Sequence, residues 1–502
     1  MASHSRVTAL CLMLAALVIR AVGADEASML KSCWNAKYNS RPIRFEEWTS
    51  GHPVRLYMVD AWWSPRRNSF PLTIFTMMSL DRLNMLESQC RGYIGPISAA
   101  VYIPLVLDHD PNLGDDFNTT HDVENGDDHH GFGRNDGNGG GNGDSDSDDD
   151  GDGDGGEGDK AATTVLVRRR YIREANRENP VALARAKLKN LFNQMEEEAA
   201  RAAANKSIPG CCCQLRLMLL AERMSDSPLA SIMPTNAMRN AAMLGATTPL
   251  SAMLDVDLAP CMNLNALVQN ATWVQGISEY TTRPSICIPP AWETKGHLQP
   301  STKNEVVQRA ITGTKADVLD MWSRSELQVF QVNVCKHCHK TFDHARWSKE
   351  DMPYTVQHTL GFEPWGILWR LRDPGYDERF RGWLYDKQTH VEALARKHRY
   401  TFTVLPDLWV LHRPHKKVAI VQIYRKSANT TGEGSGDVEA LLRPIVLSNG
   451  KNTTVYTAYR HHMDSMRRNL RSSFAAHKPY EPQQNAQFLH CKSVLPWWQQ
   501  QA

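Results

Sequence analysis

The sequence between residues 71 and 103 predicts a strand, a helix and a second strand. This order constrains the fold more than any other feature. Residues 71–78 form an apolar, partly β-branched run that is typical of a buried strand. Residues 79–90 begin with a helix N-cap pattern and continue with apolar residues at helical spacing. Residues 97–103 form a second apolar strand. Two strands joined by a helix favour the βαβ unit of a parallel sheet, so we predict an α/β fold.

Residues 107–160 interrupt this pattern because they consist mainly of Gly, Asp and Asn. Such a segment cannot bury enough apolar surface to offset its chain entropy, so we predict that it is disordered. A calcium-binding β-roll is the alternative, although the strict nonapeptide period of that fold is missing. Residues 178–205 indicate a helix, which we assign to the same insertion over residues 107–205.

The charge of the chain is divided unevenly. The formal net charge is +2, but residues 107–160 contain 18 Asp and Glu against Arg134 and Lys160, which gives −16 there and +18 elsewhere. A basic body suits an anionic ligand such as a nucleotide diphosphate or an acidic glycan. A surface on which each charge is simply solvated is the alternative interpretation.

The N-terminus has the features of a targeting segment. Residues 7–19 are an unbroken run of 13 apolar and small residues, and residues 21–23 offer a small-x-small cleavage site. A helix that spans a bilayer needs about 20 residues. We therefore predict a cleaved signal peptide over residues 1–23 and no spanning segment after cleavage, with a retained membrane anchor as the alternative.

Two further counts agree with an oxidising, lumenal compartment. Ten of the 11 cysteines lie outside the predicted signal peptide, and proteins of the secretory pathway commonly pair such cysteines in disulfides. Five Asn-x-Ser/Thr triplets are weak evidence of glycosylation, because the motif is short. These triplets begin at Asn118, Asn205, Asn270, Asn429 and Asn452.

A pair of acidic residues follows a later strand. Strands are predicted over residues 214–220 and 249–254, and the second leads directly into Asp255-Val256-Asp257. Carboxylates at a strand end can hold Mn²⁺ or Mg²⁺, and such a cation would bridge the two phosphates of a nucleotide-sugar. The same spacing occurs at Asp108-His109-Asp110, so on this motif alone a structural turn is an equal alternative.

Further motifs accompany the acidic pair, and their order is informative. They lie at 76–82, 234–243 (a predicted helix over 234–245), 254–260, 362–365 (Phe-Glu-Pro-Trp), 376–382 (Tyr-Asp-Glu-Arg-Phe-Arg-Gly), 386–387, 402–406 and 412–415 (His-Arg-Pro-His). In this order they resemble glycosyltransferase family 49, which includes LARGE-type β-glucuronyltransferase domains. The likeness covers residues 53–415 without the insertion.

This resemblance implies a GT-A fold, which is a Rossmann-like, mostly parallel sheet with helices on both faces. The metal and the donor are expected at the C-terminal ends of the central strands. The acidic, disordered insertion would interrupt a single catalytic domain over residues 53–415. An N-terminal segment over residues 24–52 and a C-terminal extension over residues 416–502 would flank that domain.

The resemblance also implies roles for residues that would bind the metal and the donor. Asp255, Asp257 and His412 would hold Mn²⁺ or Mg²⁺. Without the family likeness, a buried histidine bonded to the backbone is the better interpretation of His412. The residues that would contact the donor are Thr76, Arg82, Asn236, Arg239, Asn240 and Asp255.

The general base would be a carboxylate. Asp377 is the first candidate for removing the proton of the acceptor hydroxyl, and Glu378 and Glu363 follow it. A base on the opposite side from the leaving group implies inversion at the anomeric carbon. A turn-stabilising role for Asp377 is the alternative.

Family members transfer glucuronic acid to a xylose-containing acceptor, and this is the default expectation here. Asp386, Leu384 and Trp365 stand where the family usually has Asn, Gly and Tyr, close to the expected sugar or acceptor pocket. We expect a UDP-sugar donor, a glycan or glycoprotein acceptor, no nucleic-acid partner and a location in the secretory pathway, in the Golgi lumen. A non-catalytic lumenal protein that binds a glycan or calcium on the same fold is the alternative.

Cys335-Lys336-His337-Cys338-His339 fits the pattern for haem attachment, a redox dithiol or half of a zinc site. No second Cys-x-x-Cys motif accompanies it, and haem attachment would need an axial ligand and a matching fold. We therefore favour a disulfide or a pair of free thiols.

Overall fold

The computed structural model describes residues 26–107, 179–204, 211–415, 421–423 and 436–499, except residues 68, 334, 336, 337, 448, 477 and 479. The predicted signal peptide, the acidic segment after Leu107 and the Asp108-His109-Asp110 motif lie outside these residues. So do three of the five glycosylation triplets, at Asn118, Asn205 and Asn429.

The contacts divide the chain into two compact units, one made of Met1–Asp108 and Val181–Ala502 and the other of His109–Pro180. All described residues except Asn179 and Pro180 lie in the first unit. The elements below belong to that unit, apart from the first residue of one helix.

Apart from the first four, the strands among the described residues have only three or four residues each. They are β1 (Leu56–Trp63), β2 (Leu72–Ser79), β3 (Pro96–Val106), β4 (Gln214–Met224), β5 (Leu250–Met253), β6 (Leu258–Pro260), β7 (Ser285–Ile288), β8 (Ala291–Thr294), β9 (Leu327–Val329), β10 (Tyr354–Val356), β11 (Gly366–Trp369), β12 (Thr401–Val404), β13 (Val410–His412), β14 (Pro444–Val446) and β15 (Asn452–Thr454).

The α-helices among the described residues vary from one turn to 25 residues. They are α1 (26–35), α2 (Phe45–Thr49), α3 (Leu83–Gly92), α4 (Pro180–Ala204), α5 (Ser227–Ala230), α6 (Thr235–Leu244), α7 (Asn263–Leu267), α8 (Ala271–Thr281), α9 (Pro300–Thr312), α10 (Lys315–Ser323), α11 (His344–Trp347), α12 (Asp386–Arg396), α13 (Gly436–Leu442), α14 (Val455–Ala475), α15 (Ala486–Val494) and α16 (Pro496–Gln499). Short 3₁₀ turns cover Leu80–Arg82, Lys340–Phe342 and Arg370–Arg372.

Nine strands form one sheet in the order β1-β4-β3-β2-β5-β11-β7-β12-β10. Strands β4, β3, β2 and β5 form a continuous parallel block, and β12 is parallel to β7. Strands β1, β11 and β10 run antiparallel to their neighbours. The sheet is therefore mixed and rich in parallel pairs.

The predicted strand–helix–strand unit is confirmed, because β2 and β3 are parallel neighbours that are joined through α3. The strands predicted at 214–220 and 249–254 are β4 and β5, and the helix predicted at 234–245 is α6. The fold is α/β, and its parallel-rich sheet with accompanying helices agrees with the expected GT-A type.

The parallel block and α6 form the centre of the hydrophobic core. The first eight residues of β3 are all buried, as is usual for parallel strands that are covered on both faces. All ten residues of α6 are buried as well, and α6 packs against β2 and β3. Buried polar groups require hydrogen-bond partners, so the polar residues of α6 must find theirs inside the protein.

Segments far apart in the sequence pack into the same cores. Helices α1, α4 and α15 contribute apolar residues to the main core, and a disulfide joins Cys33 in α1 to Cys491 in α15. A second core is built from α2, α13, α14 and the segment around Phe380. Among the described residues, no helix is both long and apolar enough to cross a membrane.

Four disulfides lie among the described residues, and this supports the expectation that the cysteines are paired. They join Cys33 to Cys491, Cys90 to Cys213, Cys211 to Cys212 and Cys335 to Cys338. Cys261 and Cys287 are buried free thiols. Of the two structures favoured for Cys335 and Cys338, the disulfide is the one observed.

Candidate active site

The two acidic residues lie in a tight turn immediately after β5, at the C-terminal end of the parallel block. The Leu258 amide donates to the Asp255 carbonyl over 2.9 Å and closes the turn. The side chain of Gln89, on α3, donates to the Leu258 carbonyl over 2.9 Å and holds the turn from the other side. This is the edge at which α/β sheets commonly bind ligands.

A second, four-stranded sheet brings histidines to this turn. Its order is β6-β13-β8-β9, and the antiparallel pairing of β13 with β6 places His412 opposite Leu258. The Arg413 amide donates to the Asp257 carbonyl over 2.8 Å. The chain that follows β13 is therefore fixed beside the acidic turn.

Asp257, His412 and His415 form a compact cluster of possible metal ligands, whose donor atoms all lie within 4.8 Å of one another. Asp257 Oδ2 is 2.9 Å from His415 Nε2 and 3.8 Å from His412 Nε2, and the two Nε2 atoms are 3.1 Å apart. Partial burial opposes ionisation of Asp257, but hydrogen bonds from His412 and His415 hold its pKa well below the usual range. A carboxylate beside two imidazoles, all partly exposed, is a donor set that fits a divalent cation.

Asp255 is surrounded by different partners. Its Oδ1 accepts from Arg239 Nη2 over 3.1 Å, and its Oδ2 accepts from Lys387 Nζ over 2.6 Å and from Trp365 Nε1 over 3.1 Å. Lys387 Nζ also lies 4.2 Å from the centre of the Trp365 ring. Burial raises the pKa of Asp255, but the attraction of Lys387 and Arg239 outweighs burial and lowers it.

The predicted donor-binding residues on β2 and on the 3₁₀ turn that follows it differ in position. The Arg82 guanidinium lies 3.7 Å from Asp257 Oδ2, so it belongs to the centre of the site. Thr76 is fully buried within β2, and its hydroxyl has no hydrogen-bond partner among the described residues. Thr76 follows Phe75, whose carbonyl accepts from the Leu254 amide directly before the acidic turn, so the backbone of Thr76 lies beside the turn while its side chain is buried.

The polar residues of α6 connect the acidic turn to the start of α12 and to the segment that precedes it. Arg239 donates from Nη1 to Asp386 Oδ2 over 2.7 Å and to Asn236 Oδ1 over 2.8 Å, in addition to its contact with Asp255. Asn236 donates to the carbonyls of Asp377 and Asp386, over 2.8 and 3.1 Å. Of these side chains, only that of Arg239 contacts the acidic turn.

Asn240 is a second link between α6 and the same segment. It donates to the Tyr376 carbonyl over 2.9 Å and to Glu378 Oε1 over 2.8 Å, and it accepts from the Tyr376 amide over 2.8 Å. Asn240 is fully buried, so its observed role is to hold the backbone around Tyr376.

The three predicted general bases lie in different environments. Asp377 is 2% exposed, and its carboxylate accepts from Arg379 Nε over 2.9 Å and from the Tyr480 hydroxyl over 2.7 Å. Glu378 is 4% exposed, and burial raises its pKa to about 8. Glu363 is only partly buried and accepts from Gln388 Nε2. Burial raises the pKa of Glu363, against the attraction of nearby Lys387.

The Cys335–Cys338 disulfide lies directly against this site. The Glu363 amide donates to the Cys338 carbonyl over 3.0 Å. The neighbouring His339 ring stacks on Trp365, with ring centres 5.4 Å apart and an interplanar angle of 7°. The motif therefore supports the residues around Asp255.

His415 is the site residue to which the sequence interpretation gave no role. It is the last residue of the His-Arg-Pro-His motif at 412–415. The signal was the spacing of three between two histidines at the end of a strand. His415 lies three residues past the end of β13, and its Nε2 there comes to 3.1 Å from that of His412.

Comparison with known proteins places these residues in a family context. Residues 161–433, more than half of the chain, match a family model described as glycosyl-transferase for dystroglycan. The chain is 30% identical over 199 residues to xylosyl- and glucuronyltransferase LARGE2s of Gallus gallus, which is 40% of this chain and 25% of that protein. It is 29% identical over 182 residues to LARGE1 of Mus musculus, which is 36% of this chain and 22% of that protein.

The name of a further relative specifies no sugar. The glycosyltransferase-like protein gnt14 of Dictyostelium discoideum is 26% identical over 182 residues, which is 36% of this chain and 27% of that protein. The chain thus spans about a quarter of the length of the curated relatives it matches. The matched region contains both aspartates of the turn after β5, His412 and His415 at the end of β13 and beyond it, and Lys387. On this match, which covers more than half of the chain, the chain belongs to the family whose model is described as glycosyl-transferase for dystroglycan.

Proposed function

We propose that this protein is a metal-dependent, inverting glycosyltransferase that moves a sugar from a UDP-sugar to a hydroxyl of a glycan. The observation that carries this proposal is the cluster of Asp257, His412 and His415, next to Asp255 and at the C-terminal edge of the parallel block. A protein that only used this fold as a scaffold would not need three possible ligands there.

Asp257, His412 and His415 would hold the cation, with Asp255 as a further ligand, directly or through water. When bound there, a divalent cation supplies a positive charge that stabilises the departing diphosphate. A set with two imidazole nitrogens favours Mn²⁺ over Mg²⁺, whose protein ligands are oxygens. Arg82 and Lys387 lie beside the two carboxylates and would neutralise further phosphate charge.

Glu363 is the best placed general base of the three candidates. Asp377 is enclosed by Arg379 and Tyr480, and Glu378 is bonded to Asn240 and to the Asn485 amide, whereas Glu363 reaches solvent. A raised pKa also suits a base that operates near neutral pH. Glu363 would take the proton of the acceptor hydroxyl as its oxygen bonds to the anomeric carbon. The bond from that carbon to UDP breaks in the same step, with inversion.

We propose the donor and the acceptor from the family resemblance and from the names of the relatives. Two of the relatives are named xylosyl- and glucuronyltransferases, so their names cover one uncharged and one charged sugar. The family resemblance makes glucuronic acid the default donor and a xylose-containing glycan the default acceptor. The four disulfides support action in an oxidising compartment, for which we propose the Golgi lumen.

The test compares the wild type with Asp257→Ala for UDP release from a panel of UDP-sugars, with and without Mn²⁺. We expect release that requires Mn²⁺ in the wild type and that is lost in Asp257→Ala. The matched control is Asp320→Ala, which removes an exposed aspartate of α10 that pairs with Arg324 and should behave as the wild type. Mn²⁺ binding, measured separately, should be weakened only in Asp257→Ala.

The alternative is a non-catalytic lumenal protein that binds a glycan or calcium. A folded wild type that neither binds UDP nor turns over any UDP-sugar would favour this alternative. Deletion of residues 108–160 separates the roles of the acidic segment, because catalysis should survive the deletion whereas calcium binding through that segment should not.

A further inference from the structure

The surroundings of Asp255 carry information about the donor sugar, given the function proposed above. In a nucleotide-sugar the anomeric carbon is joined to the second phosphate through one oxygen. With the diphosphate at Asp257 and the histidines, we place the sugar beside the residues around Asp255, because Asp255 is the next carboxylate along this edge. These are Trp365, Lys387, Arg239, Asp386 and Glu363.

The cations of this group are already engaged by carboxylates. Arg239 is 1% exposed, and its two terminal nitrogens bind Asp386 and Asp255 over 2.7 and 3.1 Å. Lys387 Nζ binds Asp255 over 2.6 Å, lies over the Trp365 ring and is attracted by Glu363 as well. Three carboxylates therefore share two cations.

The groups that a ligand can reach are mostly acidic. The side chain of Asp255 is 20% exposed and Glu363 is partly exposed, whereas the side chain of Lys387 is 12% exposed. A sugar carboxylate placed here would add a fourth negative charge at short range, and like charges brought together cost several kcal/mol. Sugar hydroxyls are hydrogen-bond donors and suit carboxylate acceptors.

We infer that, in contrast to the default donor of the family resemblance, the donor pocket selects an uncharged sugar over a uronic acid. We also infer that Asp386 is a residue that determines this selectivity. Its carboxylate lies 2.7 Å from Arg239, and it cancels a charge that could otherwise attract a sugar carboxylate. An asparagine has the same shape, and its carbonyl oxygen can still accept from Arg239 Nη1. The substitution Asp386→Asn therefore changes the charge of the pocket and little else.

The experiment uses UDP-glucose and UDP-glucuronic acid, which differ only in a CH₂OH or a carboxylate at the sugar C6. Equilibrium binding and Mn²⁺-dependent UDP release are measured for the full chain. We expect UDP-glucose to be preferred, and we expect Asp386→Asn to shift the ratio of kcat/KM values towards UDP-glucuronic acid by about tenfold. The control Asp320→Asn, which removes an exposed charge of α10, should leave the ratio unchanged.

The outcomes distinguish failure of the inference from failure of the proposed function. A wild type that binds UDP and prefers UDP-glucuronic acid overturns the inference and leaves the transferase function in place. An unchanged ratio in a folded Asp386→Asn, checked by thermal unfolding, removes the role of Asp386. If the folded wild type binds neither UDP nor any UDP-sugar, the proposed function fails and the inference falls with it. If Asp386→Asn turns over no donor, the ratio of the two binding constants still decides.

Discussion

At the residue scale, the carboxylates of Glu363 and Asp377 differ in what they can reach. Asp377 bonds Arg379 and Tyr480 within the protein, whereas Glu363 is partly exposed and stands beside Lys387. A general base must reach the proton that it removes, and an aspartate enclosed by a guanidinium and a phenol is suited to holding structure. The two residues should therefore respond differently to removal of their charge.

We predict that Glu363→Gln lowers kcat by about 10²–10⁴-fold while the protein still binds UDP, since a positioned base contributes that much. Asp377→Asn should instead lower the free energy of unfolding by about 1–3 kcal/mol, because it weakens buried hydrogen bonds. Steady-state kinetics and chemical unfolding of both variants measure these effects. A larger kcat loss in Asp377→Asn than in Glu363→Gln would restore Asp377 as the base.

Glu378 gives a prediction about pH. Its pKa is raised by burial from 4.5 to about 8, so between these values the folded protein keeps a proton that the unfolded chain has released. Its contribution to the free energy of unfolding therefore falls as the pH rises from 4.5 to 8, by up to about 1.4 kcal/mol per pH unit. Glu378→Gln should flatten this slope.

Urea unfolding between pH 6 and pH 9 measures that slope. Glu279→Gln, on the exposed side of α8, serves as the control and should keep the wild-type slope. Equal slopes in Glu378→Gln and the wild type would show that the buried carboxyl does not titrate in this range.

The sequence indicates only part of the site at this scale. Asp255 and Asp257 follow a strand, and their edge of the sheet is predictable from the βαβ pattern. Which of Glu363 and Asp377 is better placed as the general base cannot be predicted. The answer depends on Tyr480, which lies 103 residues beyond Asp377 in the chain and bonds its carboxylate. Burial by distant segments leaves no local signal in a sequence.

At the element scale, α14 supports the start of α12, where Asp386 and Lys387 lie. Tyr385 precedes α12 with a φ of 61°, in the left-handed region that tyrosine rarely adopts. Its hydroxyl donates to Asp464 over 2.6 Å, and the Arg467 guanidinium lies 4.1 Å from its ring centre. Both partners belong to α14, so this helix helps to hold a strained residue beside the candidate active site.

We predict that Tyr385→Phe lowers the free energy of unfolding by about 1 kcal/mol, the net value of one hydrogen bond, and raises KM for the donor. The ring and its contact with the Arg467 guanidinium remain, so the effect reports the hydrogen bonds of the hydroxyl to Asp464 and Arg467. Tyr280→Phe, at an exposed position of α8, is the control. An unchanged donor KM in Tyr385→Phe would mean that α14 does not position α12.

The strands of the parallel block and α6 could be predicted, and the three-residue strands could not. Strands β2, β3, β4 and β5 follow apolar runs in the sequence, and α6 follows a helical pattern. Strands β6 and β13 have three residues each, which is too short for any period to be recognised. These two strands nevertheless place His412 beside Asp257.

At the scale of the whole molecule, the Cys33–Cys491 disulfide connects α1 to α15 across a sequence separation of 458 residues. Both helices belong to the main core, which also contains the parallel block. The core beneath the candidate active site therefore includes helices from both ends of the described chain. The Asn485 amide, directly before α15, also donates to Glu378 Oε2 over 3.0 Å.

We predict that replacing Cys33 and Cys491 by serine lowers the free energy of unfolding by roughly 2–4 kcal/mol, because the cross-link restricts a very long loop in the unfolded chain. The Cys335–Cys338 bond, with a separation of three, restricts far less. Replacing that pair by serine is the matched control, and it should cost less stability. Equal losses in the two double variants would contradict the loop argument.

The same bond has a consequence for biosynthesis. Cys33 cannot form its native bond until Cys491 has been made, and at roughly 5–20 residues per second this takes about 20–90 s. During that time the thiols of Cys90, Cys211, Cys212 and Cys213 are made, and each is a possible wrong partner. The yield of native protein should therefore depend on how fast a cell can reshuffle disulfides, as well as on the stability of the finished fold.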